Sequence, residues 1–278
     1  MSPRIHSVIL LVALCLVATN ALAQDVLPLS VFPLTARLQL SPGDTSSRTF
    51  AITNTSDDPV SLTVKLLDFS FDENGGIFEL DPGSLGQESL CPYVQYSPEQ
   101  LSLQPGETSE VRYTVSLPLG ATGPHWAVLV VAPEKAAEVQ QQTEGIAFRV
   151  RLHSQYFFTI IQNPLDSSPP TGQVSGMDVQ GATAEDGTRE VTVAVTFQNL
   201  GESVLFSSVR YQIRDPQGDT VAQFEEPNQL TVLPAMSRIF EHTFAGLEIP
   251  PGQYLILGIV DFGADYLSAG QYLATVNE

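Results

Sequence analysis

Apolar and polar residues alternate along this chain in short runs rich in Val, Thr, Phe and Tyr, punctuated by Pro, Gly, Asn and Asp. A period of two with turn residues between the runs predicts half-buried strands, not helices. The pattern predicts strands near 34–40, 48–54, 59–68, 76–80, 93–96, 100–104, 109–117, 124–132 and 146–161. Turn chemistry separates them at Ser41-Pro-Gly-Asp44, Asn54-Thr-Ser-Asp-Asp-Pro59, Asp72-Glu-Asn-Gly-Gly76 and Gln104-Pro-Gly-Glu107. One segment, Glu134 to Thr143, is polar all round, has no face to bury and is expected to be a mobile loop. The second half predicts strands near 173–180, 188–199, 204–214, 219–225, 229–233, 236–245, 253–262 and 270–276. Turns about every 8–12 residues fit immunoglobulin-like sandwiches, so the expected architecture is all-β: two immunoglobulin-like β-sandwich domains in tandem.

The ends and joints of these domains follow from composition. Arg4, the apolar run from Val8 to Ala18 and Ala21-Leu-Ala23 form the three parts of a secretory signal peptide over residues 1–23. The run is too short to span a bilayer, which takes about 20 residues as a helix. Asn163-Pro-Leu-Asp-Ser-Ser-Pro-Pro-Thr-Gly172 is stiffened by adjacent prolines and lacks alternation, so it reads as a linker. The expected division is therefore a first sandwich at 24–162, a linker at 163–172 and a second sandwich at 173–278. The chain is expected to be exported, to the periplasm or the cell surface.

Charge narrows the partners. With 12 Lys+Arg against 31 Asp+Glu, the formal charge is −19, the wrong sign for a protein held on phosphate or on anionic lipid heads. Once a signal peptide is removed, Cys91 is the one cysteine of the chain, which excludes an intrachain disulfide and a cysteine-based metal cluster. An unreactive, buried Cys91 is expected.

Catalytic chemistry has no local support. His125, His153 and His242 fall in three separate strand neighbourhoods, and the sequence holds no zinc-protease spacing, nucleophile elbow or phosphate loop. His125 beside Trp126 reads as an aromatic strand start. Asp68, Asp72, Glu73 and Asn74 do not have the spacing of a calcium loop, and Asn74-Gly75-Gly76 is explained as a hairpin turn. Trp126 is the only tryptophan, where a carbohydrate-binding face calls for a cluster of exposed aromatics. The chain is read as a binding protein, not an enzyme, with no cofactor and no metal.

Several landmarks in order carry a family resemblance. They are Thr35-Ala-Arg37-Leu-Gln-Leu-Ser-Pro-Gly43, Phe50-Ala-Ile-Thr-Asn54 with its polar turn to Pro59, Tyr96-Ser-Pro98 through Leu103-Gln-Pro-Gly106 into Arg112, and Leu117-Pro118 ahead of Trp126-Ala-Val-Leu-Val-Val131. Over about residues 30–161 this resembles the first domain of the PapD-like periplasmic pilus-assembly chaperones. The resemblance implies a chaperone that lends a long strand to an incomplete subunit, pairing with its bare edge and filling its apolar groove. The matching segment is Ile146-Ala-Phe148-Arg-Val150-Arg-Leu152, in which Ile146, Phe148, Val150 and Leu152 share one face. It further implies that Arg37 anchors the partner's terminal carboxylate. Gln155 stands where the family carries a Lys, and Leu119-Gly-Ala-Thr-Gly-Pro-His125 lacks the family's Arg-Glu pair. The expected role is a chaperone or assembly adaptor for exported pilin-like or surface subunits. The alternative is a structural component of a cell-envelope or surface protein complex.

Overall fold

The computed structural model describes residues 29–143, 146–183 and 188–276, and of 137–143 and 146–152 it describes the backbone. The segment read as a signal peptide, residues 1–23, lies outside the described residues. The described chain is all-β. The strands of the first half are β1 (Leu29–Phe32), β2 (Thr35–Leu40), β3 (Thr45–Asn54), β4 (Val60–Phe71), β5 (Ile77–Leu80), β6 (Val94–Ser97), β7 (Gln100–Leu103), β8 (Thr108–Ser116), β9 (His125–Pro133), β10 (Ala137–Thr143), β11 (Ile146–Leu152) and β12 (Tyr156–Pro164). Two short 3₁₀ turns, Gly86–Glu88 and Cys91–Tyr93, lie between β5 and β6.

Two of these sheets face each other across a core. One has the order β1-β3-β8-β6; the other runs β2-β12-β9-β4-β5 with β7 on β4. Leu29 and Val31 of β1, Phe50 and Ile52 of β3, and Val111, Tyr113 and Val115 of β8 meet Ala36 and Leu38 of β2, Leu62 and Val64 of β4, and Phe158 and Ile160 of β12. The Phe50 and Phe158 rings stack with centroids 4.2 Å apart. The chain changes sheets between β1 and β2. β1 pairs antiparallel with β3, whereas β2 pairs parallel with β12.

The second half contains β13 (Gly172–Thr183), β14 (Arg189–Asn199), β15 (Leu205–Arg214), β16 (Thr220–Glu225), β17 (Leu230–Val232), β18 (Ser237–Leu247), β19 (Gly252–Asp261) and β20 (Ser268–Val276). Sheets β13-β14-β18 and β16-β15-β19-β20, with β17 on β15, enclose a second core around Phe197, Tyr211, Ile256 and Phe262.

The two halves build one corner the same way. The Asn54 amide ends β3, donating to the Asp58 and Leu103 carbonyls at 2.8 and 3.2 Å, while its oxygen accepts from the Ser56 amide and hydroxyl. Asn199 ends β14, donating to the Ser203 and Val232 carbonyls at 2.8 and 3.0 Å and accepting from the Gly201 amide. Both asparagines are buried, and each satisfies carbonyls that the strand ends would otherwise leave bare. The tight turn beside each one needs a residue of positive φ. Gly106 fills that place in the first half (φ +74) and Ala235 in the second (φ +59).

A third apolar cluster joins the halves. Ala127, Leu129 and Val131 of β9 point into the first core, so Trp126, Val128 and Val130 point the other way. With Phe69 and Ile161 they pack on Val204 and Leu233 of the second half. This sheet is thus covered on both faces, which explains why β9 reads as an unbroken apolar run. Polar clasps flank the cluster. The Asn163 side chain donates to the Val204 carbonyl at 2.8 Å and accepts from the Val204 amide at 3.0 Å. The turn after β4 also reaches across, where the Ile239 amide donates to the Glu73 carbonyl at 2.6 Å.

Candidate partner-binding site

The edge of β12 is built by the hairpin that leaves the first sandwich. β9 and β12 pair antiparallel from Gln162↔His125 to Tyr156↔Val131. Beyond the connections 134–136 and 153–155, the same two arms pair again as β10 and β11, from Ala137↔Leu152 to Thr143↔Ile146. This two-stranded sheet is separate from both sheets of the sandwich. Two expectations are corrected here. The segment Glu134 to Thr143 is not a loop for most of its length, because β11 supplies backbone partners to residues 137–143 and pairing needs no apolar face. The single strand expected at 146–161 is two strands, interrupted at His153-Ser154-Gln155, where the chain passes from the protruding sheet into the sandwich.

Among the described residues no strand pairs on the outer side of β11 or of Tyr156–Phe158. β2 joins β12 at Thr35↔Thr159 and stays paired to Leu40↔Pro164. Towards the tip from Thr159, Tyr156–Phe158 pair with β9 alone and β11 pairs with β10 alone. The Thr159 amide donates to the Leu34 carbonyl at 2.9 Å, so Thr159 directs its backbone groups to the β2 side. Strand periodicity then points the N–H and C=O of Phe157 to the same side, where among the described residues no strand receives them. Phe32 and Leu34, 75% and 55% exposed, stand in the short connection where this bare edge begins.

Of the residues singled out in the sequence, the hairpin places the backbones of Ile146, Phe148, Val150 and Leu152 opposite Thr143, Gln141, Val139 and Ala137. Their side chains lie outside the described residues, as do those of Arg149 and Arg151. Gln155 is exposed in the break between β11 and β12.

Arg37 is placed by the alternation of β2. Ala36 and Leu38 enter the first core, which turns Arg37 to the opposite face, towards the second half. There its guanidinium lies 3.8 Å from the centroid of the Phe206 ring, and Nη1 donates to Gln229 Oε1 at 2.5 Å. Partial burial lowers its pKa from the ordinary arginine value. Arg37 and Arg48 line one cleft of about 660 Å³ together with Asn163, Ser203, Phe206 and Gln229. Two arginines in a single cleft of a chain with 12 Lys+Arg make a local positive site on an acidic protein. Sequence reading missed Arg48. Its only signal was an exposed position on β3, which any surface arginine shows.

The remaining polar candidates serve the fold. The buried carboxylate of Asp68 accepts from the Ser89 hydroxyl at 2.7 Å, the Cys91 thiol at 3.1 Å and the Leu85 amide at 3.1 Å. Burial, reinforced by Asp68, pushes the Cys91 thiol up to about 12. Cys91 is therefore protonated and unreactive at neutral pH. Asp72 Oδ1 accepts from the amides of Asn74 and Gly76, a turn-making carboxylate. Buried His125 meets Gln162 Oε1 at 3.1 Å, and Trp126 Nε1 donates to the Phe69 carbonyl at 3.0 Å. Among the described residues no group of three or more His, Cys, Asp or Glu is placed to hold a metal ion. No helix among them is long and apolar enough to cross a membrane.

No family model matches the sequence, and no curated protein matches it. Solved structures similar to the chain include a class 5 fimbriae chaperone, CfaA, at 9% identity and a TM-score of 0.39, covering 90% of this chain and 99% of that one. The CsuC–CsuE chaperone–tip adhesion subunit pre-assembly complex of Acinetobacter baumannii matches at 13% identity and a TM-score of 0.41, covering 89% of this chain and 97% of that one. The E. coli chaperone DraB matches at 15% identity and a TM-score of 0.38, covering 89% and 98%. A PapD-like domain of human CEP192 matches at 14% identity and a TM-score of 0.32, covering 54% and 98%.

Proposed function

We propose that this chain is an exported, non-enzymatic binding protein, a chaperone or assembly adaptor for pilin-like or surface subunits, that lends a strand to its partner. The observation that carries this reading is the edge formed by β11 and by Tyr156–Phe158, on which no strand besides β10 and β9 pairs among the described residues, ending where β2 closes it at Thr159. A polypeptide lacking a strand would gain main-chain hydrogen bonds along this edge, and alternate side chains at Ile146, Phe148, Val150 and Leu152 would fill its groove. Exposed Phe32 and Leu34 extend the apolar surface at the base of the edge. Arg37, with Arg48 beside it, would hold the terminal carboxylate of the partner through charge-assisted hydrogen bonds after exchanging its contact with Gln229. The second sandwich, fixed by the Trp126–Val204 cluster, supplies the other wall of that cleft.

The test is co-purification of exported partners with wild-type protein and with Phe148→Glu/Val150→Glu. Two carboxylates in an apolar groove are expected to abolish retention of the partner while the thermal transition of the free protein stays in place. A double variant that folds normally and keeps every partner overturns strand lending.

A further inference from the structure

The second sandwich carries an apolar face on its outside. β19 reads Tyr254-Leu-Ile-Leu-Gly-Ile-Val260, as unbroken an apolar run as β9, whose two faces are both covered. Tyr254, Ile256 and Val260 enter the second core, so Leu255, Leu257 and Ile259 point outward, half-buried. None of the three belongs to either core or to the cluster that joins the halves. The solvated face of an antiparallel sheet normally alternates in polar residues. Here Leu273 of β20, 63% exposed, stands directly opposite Leu255 and widens the apolar stripe.

Arginines border the stripe on its other side. Arg210 and Arg214 of β15 stand opposite Ile259 and Leu255 on the same face. The Nε atoms of both are buried without a hydrogen-bond partner, so their stems lie along the sheet. Arg214 Nη2 donates to Gln212 Oε1 at 2.8 Å. Arg210 has no hydrogen-bond or ion-pair partner among the described residues, although Glu225 of β16 stands opposite it.

We propose that this face docks an amphipathic, acidic helix of a partner polypeptide, its apolar side on Leu255, Leu257, Ile259 and Leu273 and its carboxylates on Arg210 and Arg214. An extended segment laid on a sheet face would bury its own N–H and C=O groups unpaired, whereas a helix satisfies them internally. The dimensions agree. Three strands span about 10 Å, the diameter of one helix, and four residues of strand span about 13 Å, the length of about nine helical residues. A patch of about 10 Å by 13 Å is small beside the roughly 800 Å² that each partner buries in a standard interface. A second copy would also bring its formal charge of −19 against its like. Two arginines about 13 Å apart match glutamates seven apart on one flank of a helix, about 11 Å along its axis. The inference rests on this face alone and is independent of strand lending.

The test uses an alanine-based helical peptide with leucines spaced three and four apart and two glutamates seven apart on one flank, against a counterpart with lysine for each glutamate. Each is titrated into the full chain in about 0.15 M salt, where diffuse fields are screened. Binding is read from the NMR methyl signals of Leu255, Leu257, Ile259 and Leu273. The glutamate peptide is expected to shift these signals saturably and to bind about tenfold or more tightly than the lysine peptide. Arg210→Glu/Arg214→Glu is expected to reverse that preference, and Leu257→Asp to abolish binding. Leu273→Asp, at an exposed position, is expected to weaken binding by about tenfold and serves if Leu257→Asp fails to fold. Equal binding of the two peptides, an unchanged preference in the arginine variant, or shifts centred elsewhere overturns the proposal. So do methyl signals that move on dilution of the free protein, which would assign the face to a second copy. The Phe148→Glu/Val150→Glu variant should bind the glutamate peptide as wild type does, so failure of either idea is seen separately.

Discussion

Thr35 and Thr159 are the first register partners of the parallel pair β2–β12, their hydroxyls 2.9 Å apart, and they mark the point where a covered strand becomes a bare one. On one side of this pair β12 is an interior strand of a sandwich. On the other, Tyr156–Phe158 and β11 form an edge on which no further strand pairs among the described residues. Natural proteins seldom leave a long edge without a use.

The core of the first sandwich depends on Phe158, which is fully buried, stacks on Phe50 and packs at 5.2 Å against the Tyr113 ring. Phe158→Ala is expected to cost about 3–5 kcal/mol, the range for emptying a buried aromatic site. Chemical denaturation monitored by the Trp126 fluorescence measures it. A loss under about 1 kcal/mol would mean the sheets do not meet at this ring.

Ala235 occupies a left-handed turn position that glycine holds in the corresponding turn at Gly106. The left-handed conformation costs a residue with a Cβ about 1–2 kcal/mol, against about 0.5–1 kcal/mol of extra chain entropy lost by glycine. Ala235→Gly should therefore stabilise the second sandwich by about 0.5–1 kcal/mol. A lowered melting temperature would refute the assignment of that turn.

Gly75 has a φ of +86, and a Cβ there would run into the Arg238 guanidinium. Gly75→Ala is expected to lift the turn from the second half, break the Glu73–Ile239 hydrogen bond and loosen the seam. Amide exchange at Ile239 should rise by about tenfold or more while exchange in the two cores stays as in wild type.

Cys91 sets a pH dependence. Its folded pKa, about 12, is raised above the ordinary value of 9.0, so the folded state favours the protonated thiol. The stabilisation is complete below about pH 9 and is lost as pH rises from there towards about 12. At pH 8 the thiol should resist a disulfide reagent until the protein is denatured, then react fully. Rapid labelling of the folded protein would contradict its burial.

Legibility in the sequence followed the physics of each element. Strands with one buried face, such as 45–54 and 108–116, show a clean period of two, and the Asn54 corner follows from turn chemistry. The strand Ala137–Thr143 was illegible because its partner, not its own composition, makes it a strand. β1 escaped notice because its four residues are too few to establish a period. Arg37 was legible by its place in an ordered motif, whereas Arg48 reaches the same cleft from another sheet, a contact no local pattern encodes.

The bare edge itself is tested most directly by residue-resolved amide exchange on the free protein. Thr159 donates to Leu34, while Phe157 points to the same side, where among the described residues no strand receives it. Exchange at Phe157 is expected to be faster than at Thr159 by about a hundredfold or more, and to slow once a partner is bound. Phe157 and Thr159 protected alike in the free protein would show the edge already covered and would contradict the account.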